Sequence, residues 1–150
     1  MTRRLLFLLS VFSLPILSSC GGGSSPAPTP TPTPVIRGIL TASVLSSYGT
    51  RETGGVRLHV TVRFVETAGG ATTLTKVEFM VKQSDASGVP YENTEPHAIG
   101  AKGSLELNYQ SEPSNDPYPA SVDVTGTYTD SDGLVKTATA TGTFVALPPG

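Results

Sequence analysis

Between residues 57 and 64, apolar Leu58, Val60, Val62 and Phe64 alternate with Arg57, His59, Thr61 and Arg63. This is the two-residue period of a half-buried β-strand, because successive side chains of an extended chain point to opposite faces. The alternation returns in Val77, Phe79 and Val81 against Lys76, Glu78, Met80 and Lys82, and in Leu105, Leu107 and Tyr109 against Glu106, Asn108 and Gln110. Val122, Val124 and Tyr128 share one face of a strand predicted from about Ala120 to Thr129. The β-branched run VKTATATGTFV predicts a last strand over Val135 to Val145, and Ile36 to Ser46 a less regular first one. No segment carries apolar residues at i, i+3, i+4 and i+7 through three turns, so no helix is expected.

Turn residues separate these runs at Gly54-Gly55, Ala68-Gly69-Gly70, Asp85-Ala86-Ser87-Gly88 and Asp130-Ser131-Asp132-Gly133. Asp and Gly tolerate positive φ, so the last cluster predicts a hairpin from Tyr128 to Phe144. Residues 89 to 103, which contain Pro90 and Pro96, read as a short edge strand or a loop. Six strands, and a seventh if that stretch supplies one, predict an all-β fold for residues 35–150, an antiparallel β-sandwich with a small barrel as the alternative. Strand count, domain length and the closing segment VDVTGTYTDSDGLVKTATATGTF resemble the immunoglobulin-like, fibronectin-type-III-like superfamily. The Cys pair and core Trp of antibody domains are absent, so the resemblance is to the sandwich and not to that pattern.

The chain ahead of this domain has a different character. Arg3 and Arg4 precede an apolar run from Leu5 to Leu17, broken only by Ser10, Ser13 and Pro15. As a helix those residues span about 20 Å, short of the ~30 Å hydrocarbon core, which is the length of an export signal and not of a membrane span. Leu17-Ser18-Ser19-Cys20 then resembles the lipobox of bacterial lipoproteins. The resemblance implies a signal peptide over 1–19, cleavage before Cys20, and a diacylglycerol on the Cys20 sulfur. A thiolate is a good nucleophile and gives a stable thioether, which is the chemical reason for cysteine there. Thr2-Arg3-Arg4-Leu5-Leu6-Phe7 is also loosely similar to a twin-arginine signal, but the strongly apolar run favours the general secretory route. Gly21 replaces the Asp that holds such lipoproteins in the inner membrane, which implies the outer membrane in a Gram-negative cell.

Residues 20–34 form the tether. Gly21 to Ser25 is a Gly/Ser coil, and from Pro26 to Pro34 a proline fills every second position, favouring polyproline II. Nine such residues make a semi-rigid spacer of about 28 Å.

Composition narrows the function classes. Loss of residues 1–19 leaves eight Lys and Arg against twelve Asp and Glu, a formal charge of −4. That balance excludes the clustered basic surface a nucleic-acid binder needs. Cys20 is the only cysteine, so the domain has no internal disulfide, thiolate nucleophile or thiolate metal ligand.

Candidate chemistry is sparse. Asp123, Asp130 and Asp132 offer oxygens for calcium, but D-S-D-G is also what a hairpin turn requires, and the turn reading is favoured. His59 falls on the polar side of a strand and His97 in a loop, too few for a zinc site and without the setting of a catalytic triad. Glu92, Glu95, Glu106 and Glu112 are scattered, with no pattern that marks a glycosidase pair. Tyr109 and Tyr128 lie in phase with core positions. Tyr91 and Tyr118, flanked by prolines, are the candidate contacts for a ligand or partner. The expected protein is non-catalytic, with no cofactor, held to the membrane by lipid on Cys20 and binding an envelope protein or, alternatively, a glycan.

Overall fold

The computed structural model describes residues 31–83 and 88–147, and the chain divides into two units, Met1–Pro32 and Thr33–Gly150. The predicted signal, Cys20 and the tether up to residue 30 lie outside the described residues, as do Asp85, Ala86 and Ser87 of one predicted turn.

Within the second unit eight strands run in order: β1 (Leu40–Glu52), β2 (Gly55–Glu66), β3 (Thr72–Lys82), β4 (Gly88–Asn93), β5 (His97–Ile99), β6 (Ser104–Gln110), β7 (Ser121–Asp130) and β8 (Val135–Thr143). They form two antiparallel sheets, β1-β2-β6 and β4-β3-β7-β8, with β5 also paired to β3. The fold is all-β and sandwich-like. The first strand begins later and extends further than the sequence predicts, and the stretch 89–103 holds two short strands. Both lie against the same side of β3, Gly88 opposite Lys82 and Ile99 opposite Thr72, so they are one edge strand interrupted at residues 94–96. Pro96 lies in that break, where it withholds a donor the ladder would need. Pro90 is tolerated because an edge strand is paired on one side only.

The two-residue period sorts side chains as expected. Leu58, Val60, Val62 and Phe64 of β2 face Val77, Phe79, Val81, Val122, Val124 and Tyr128 of the other sheet across one core. Threonines line the outer side of the β7–β8 pair, Thr125 opposite Thr139 and Thr127 opposite Thr137, where β-branched residues suit a half-exposed pleat.

One end of the sandwich receives the chain at residues 33–39; it is the entry end. Glu66 continues the inward phase of β2 and is only 1% exposed. Its Oε1 accepts from the backbone N–H groups of Ile39 (3.1 Å), Ala68 (2.7 Å) and Gly69 (3.0 Å). Its Oε2 accepts from Gly69 and Lys102, both at 2.8 Å. One carboxylate thus ties together the lead-in to β1, the β2–β3 turn and the β5–β6 turn. Burial pushes its pKa up, but the N–H donors of Lys102, Ile39, Gly69 and Ala68 more than reverse this and bring it to about 2. Gly70 packs beneath the same lead-in, where a Cβ would lie 2.2 Å from the Ile36 carbonyl oxygen.

Asp130 closes the neighbouring β7–β8 hairpin. Its Oδ1 accepts from the N–H groups of Asp132 and Leu134 at 3.0 Å each, and Oδ2 pairs with Lys136 Nζ at 2.5 Å. The Lys136 ammonium beside it holds this carboxyl below the usual range. Gly133 takes φ 79°, the positive value the turn residues predict.

Along one side the two sheets meet. Lys136 Nζ reaches the Gly38 carbonyl (3.4 Å), Ser47 Oγ donates to the Thr143 carbonyl (2.8 Å), and Val145 N donates to the Ser47 carbonyl (3.0 Å). The near-constant offset of these pairs means that β1 and β8 run side by side in the same direction. On the opposite side no strand pairing joins β4 to β6, and side chains alone span the opening.

Candidate functional site

The open side leads to a groove at the far end of the sandwich, away from residues 33–39. Val56 and Leu58 of β2, Val81 of β3 and Val89 and Tyr91 of β4 supply its apolar walls, and the β6–β7 loop closes it with Pro117, Tyr118 and Pro119. The enclosed space is about 120 Å³, with Gln83, Ser111, Glu112, Ser114 and Asp116 at its polar border. The two tyrosines singled out from the sequence therefore share one cavity.

They are held differently. Tyr91 lies on β4 and not in a loop, opposite Phe79 in the ladder and facing inward. Its ring lies 4.9 Å from that of Tyr109, which in turn stacks on Phe79 at 5.0 Å. Burial pushes the Tyr109 hydroxyl well above the usual phenol range, and the neighbouring Tyr91 phenol adds to the shift. That hydroxyl closes no hydrogen bond of good geometry among the described residues. These three rings plug the open side between the sheets.

Tyr118 does sit in a loop, but it is pinned. Its hydroxyl donates to the Val145 carbonyl at 2.7 Å, and its ring meets Phe144 edge-on at 5.9 Å. The other contact is Gly49, where a Cβ would come within 2.6 Å of the Tyr118 ring. Burial raises the pKa of its phenol. Tyr118 is thus a fixed wall of the groove, whereas exposed Val89 and half-buried Tyr91 form its accessible lip on an edge strand.

The remaining sequence candidates do not assemble. Asp123 pairs with Lys82 and Thr141 near the far end of β7, while Asp130 and Asp132 occupy the hairpin at its entry end. Seven residues of strand separate them, about 23 Å, so the three carboxylates do not converge on one cation. Asp132 is instead paired with Arg37 at 2.7 Å. Among the described residues no group of three His, Cys, Asp or Glu side chains is placed to hold a metal. His59 lies on β2 and His97 on β5, in different sheets. Glu106 pairs with Arg63 and Glu92 with Lys76, again in different sheets.

Sequence reasoning missed two features. Glu66 was visible as a carboxylate in phase with Leu58, Val60, Val62 and Phe64, an inward position that requires partners. The second is an aromatic pair on the outer face of the three-stranded sheet. Tyr48 on β1 stacks on His59 of β2 with ring centroids 4.8 Å apart and planes within 8°. Their proximity depends on a register shift between Val44 and Ser46 in β1.

No family model matches this chain, and no curated protein matches it. Among solved structures it is similar to the crystal structure of a Bordetella pertussis protein described as ApaA. That match has 14% identity and a TM-score of 0.57, over 74% of this chain and 98% of that one. At this identity the likeness is one of fold alone. A structural-genomics target designated SoR45 matches at 10% identity and TM-score 0.48, over 77% of this chain and 93% of that one. The DNA glycosylase AlkC of Pseudomonas fluorescens, bound to DNA containing an abasic-site analogue, matches at 13% identity and TM-score 0.38, over 71% of this chain and 30% of that one.

Proposed function

We propose that this chain is a lipid-anchored envelope protein whose sandwich is a non-catalytic binding module, and that its far-end groove receives an extended segment of a partner protein. The carrying observation is that groove. It combines an apolar lining, a preformed Tyr118 wall and the outer edge of β4, with Val89 56% exposed at the lip. An edge strand offers unpaired backbone donors and acceptors to an incoming strand, and adjacent pockets select its side chains. A cavity of about 120 Å³ suits one or two side chains of such a segment and not a cofactor.

The strand order supports a finer reading of the fold. A β1-β2-β6 sheet facing β4-β3-β7-β8, with β1 alongside β8, is the arrangement expected of a fibronectin-type-III-like member of the immunoglobulin-like sandwiches. The lipobox-like Leu17-Ser18-Ser19-Cys20 and the Pro-rich tether support attachment through Cys20 and outer-membrane placement in a Gram-negative cell. Residues 33–39 enter the domain at the end opposite the groove.

In-cell crosslinking tests the reading. A photoreactive residue at Val89 should capture a reproducible partner from native membranes, and one at Thr139, on the outer side of β8, should not. Equal capture from both positions, or none from Val89, would refute a groove-directed interaction.

A further inference from the structure

The outer face of the β1-β2-β6 sheet carries a second arrangement, separate from the groove. The ladder aligns Tyr48, His59 and Gln110 in one row across the three strands, with Thr61 and Asn108 paired in the next. Between them lies a shallow depression of about 70 Å³, lined by Tyr48, His59, Thr61, Asn108 and Gln110 together with Val60 and Tyr109. The aromatic pair is fixed in place: His59 is clamped between the Tyr48 ring and Thr50, whose Oγ1 lies 2.9 Å from its Nε2. Tyr48 nevertheless stays 43% exposed.

The polar groups around this pair retain spare capacity. Thr61 Oγ1 donates to Asn108 Oδ1 at 2.8 Å, and among the described residues the amide N–H groups of Asn108 make no side-chain hydrogen bond. Among the described residues, neither the Tyr48 hydroxyl nor the Gln110 amide makes a side-chain hydrogen bond. Along this face Arg63 is paired with Glu106 and Arg57 with Glu52. On the outer face Tyr48, Thr61, Asn108 and Gln110 offer hydroxyl and amide groups beside His59.

We infer that this face is a binding site for a neutral saccharide, with one sugar ring set against the Tyr48–His59 pair. The C–H groups of a pyranose carry partial positive charge and suit the negative face of an aromatic ring. Its hydroxyls each donate and accept, as do the amides of Asn108 and Gln110 and the Tyr48 phenol. Arg57 and Arg63 on this face are already paired, so an anionic ligand would gain no free charge from them. Preorganisation of the pair limits the entropy lost on binding. The site is independent of the groove: Tyr91 and Tyr118, the tyrosines the sequence suggests for sugar contact, lie elsewhere.

The test uses the full chain in detergent micelles against immobilised maltohexaose, cellohexaose and an N-acetylglucosamine hexamer, with heparin as the charged control. At least one neutral series should bind and heparin should not. Tyr48→Ala and Gln110→Ala should each weaken binding at least tenfold, and Tyr91→Ala less than twofold. Gln110 is exposed at a sheet edge, so Gln110→Ala decides the matter should Tyr48→Ala lose its far-UV circular dichroism. Failure of all three neutral series to bind, heparin binding of equal strength, or binding that survives Gln110→Ala would overturn the inference. Loss with Tyr91→Ala alone would do so too, by placing the sugar in the groove.

Discussion

The two ends of the sandwich solve the same problem in opposite ways. At each end, loops must cross between sheets and their backbone groups must find partners. At the entry end a single buried carboxylate, Glu66, gathers N–H groups from three segments, and Asp130 does the same within its hairpin. At the far end the longer β6–β7 loop is held by scattered contacts: Ser114 bridged to Val56 through the backbone, Ser111 Oγ accepting from Leu58 N, and Tyr118 bonded to Val145. Between these points the far end leaves a groove. Hydrogen bonds converging on one carboxylate rigidify a region, whereas bonds spread along a loop, charge-assisted or not, hold it at separate points. The contrast is one of fastening: one end is tied through two carboxylates, the other through contacts spread along a loop.

Removing the central carboxylate should break the contrast most forcefully. Glu66→Gln places an amide NH₂, a donor, among N–H groups that are all donors, and we expect it to lower the thermal unfolding midpoint more than any far-end substitution. The pH response sharpens the assignment. The folded-state pKa of Glu66 is about 2 against an ordinary 4.5, so its stabilisation is fully present above about pH 4.5. It is lost as pH falls towards 2. Urea titrations between pH 2 and 6 should show this loss in the native chain and a flatter profile in the variant. Asp130 contributes in the same direction, because its pKa is also lowered. Equal slopes for native chain and variant would remove Glu66 from its central role.

The next largest effect is expected from Gly70→Ala, again at the entry end. Its methyl group would collide with backbone, the Ile36 carbonyl, and not with a side chain that can turn aside. A loss of about 1–3 kcal/mol by denaturant unfolding is the expected cost of such overpacking. At the far end Tyr118→Phe removes one hydrogen bond and keeps the ring, so a loss of about 1 kcal/mol is expected. Crosslinking from Val89 should survive that substitution, since the wall keeps its shape. A far-end loss exceeding that of Gly70→Ala would reverse the order of the two ends.

Why these features differ in legibility follows from their range. The strands of β2, β3, β6 and β7 were readable because alternation is a property of neighbouring residues. The edge strand around Tyr91 was legible only as one of two readings, because Pro90 and Pro96 carry the same signal in a loop and in a strand paired on one side. Glu66 was readable in principle: position alone placed it inward, and a buried carboxylate needs donors. Which donors it finds depends on Ile39 and Lys102, distant in sequence and brought near only by the assembled sheets. The Tyr48–His59 pair depends on a register shift at Val44–Ser46 that no local pattern announces. Tyr91 and Tyr118 were chosen for their flanking prolines, and the fold gives them one cavity through two unrelated routes, a ladder position and a pinned loop.

The seam between β1 and β8 has a mechanical consequence. Because the two strands lie side by side in one direction, residue 33 enters at one end of the domain and residue 147 leaves at the other. Tension applied between those points drags the strands past each other lengthwise. The Gly38–Lys136, Ser47–Thr143 and Ser47–Val145 contacts must then yield together, not one after another as in a zipper. A domain joined this way resists a pull along its length, as a link in a chain does.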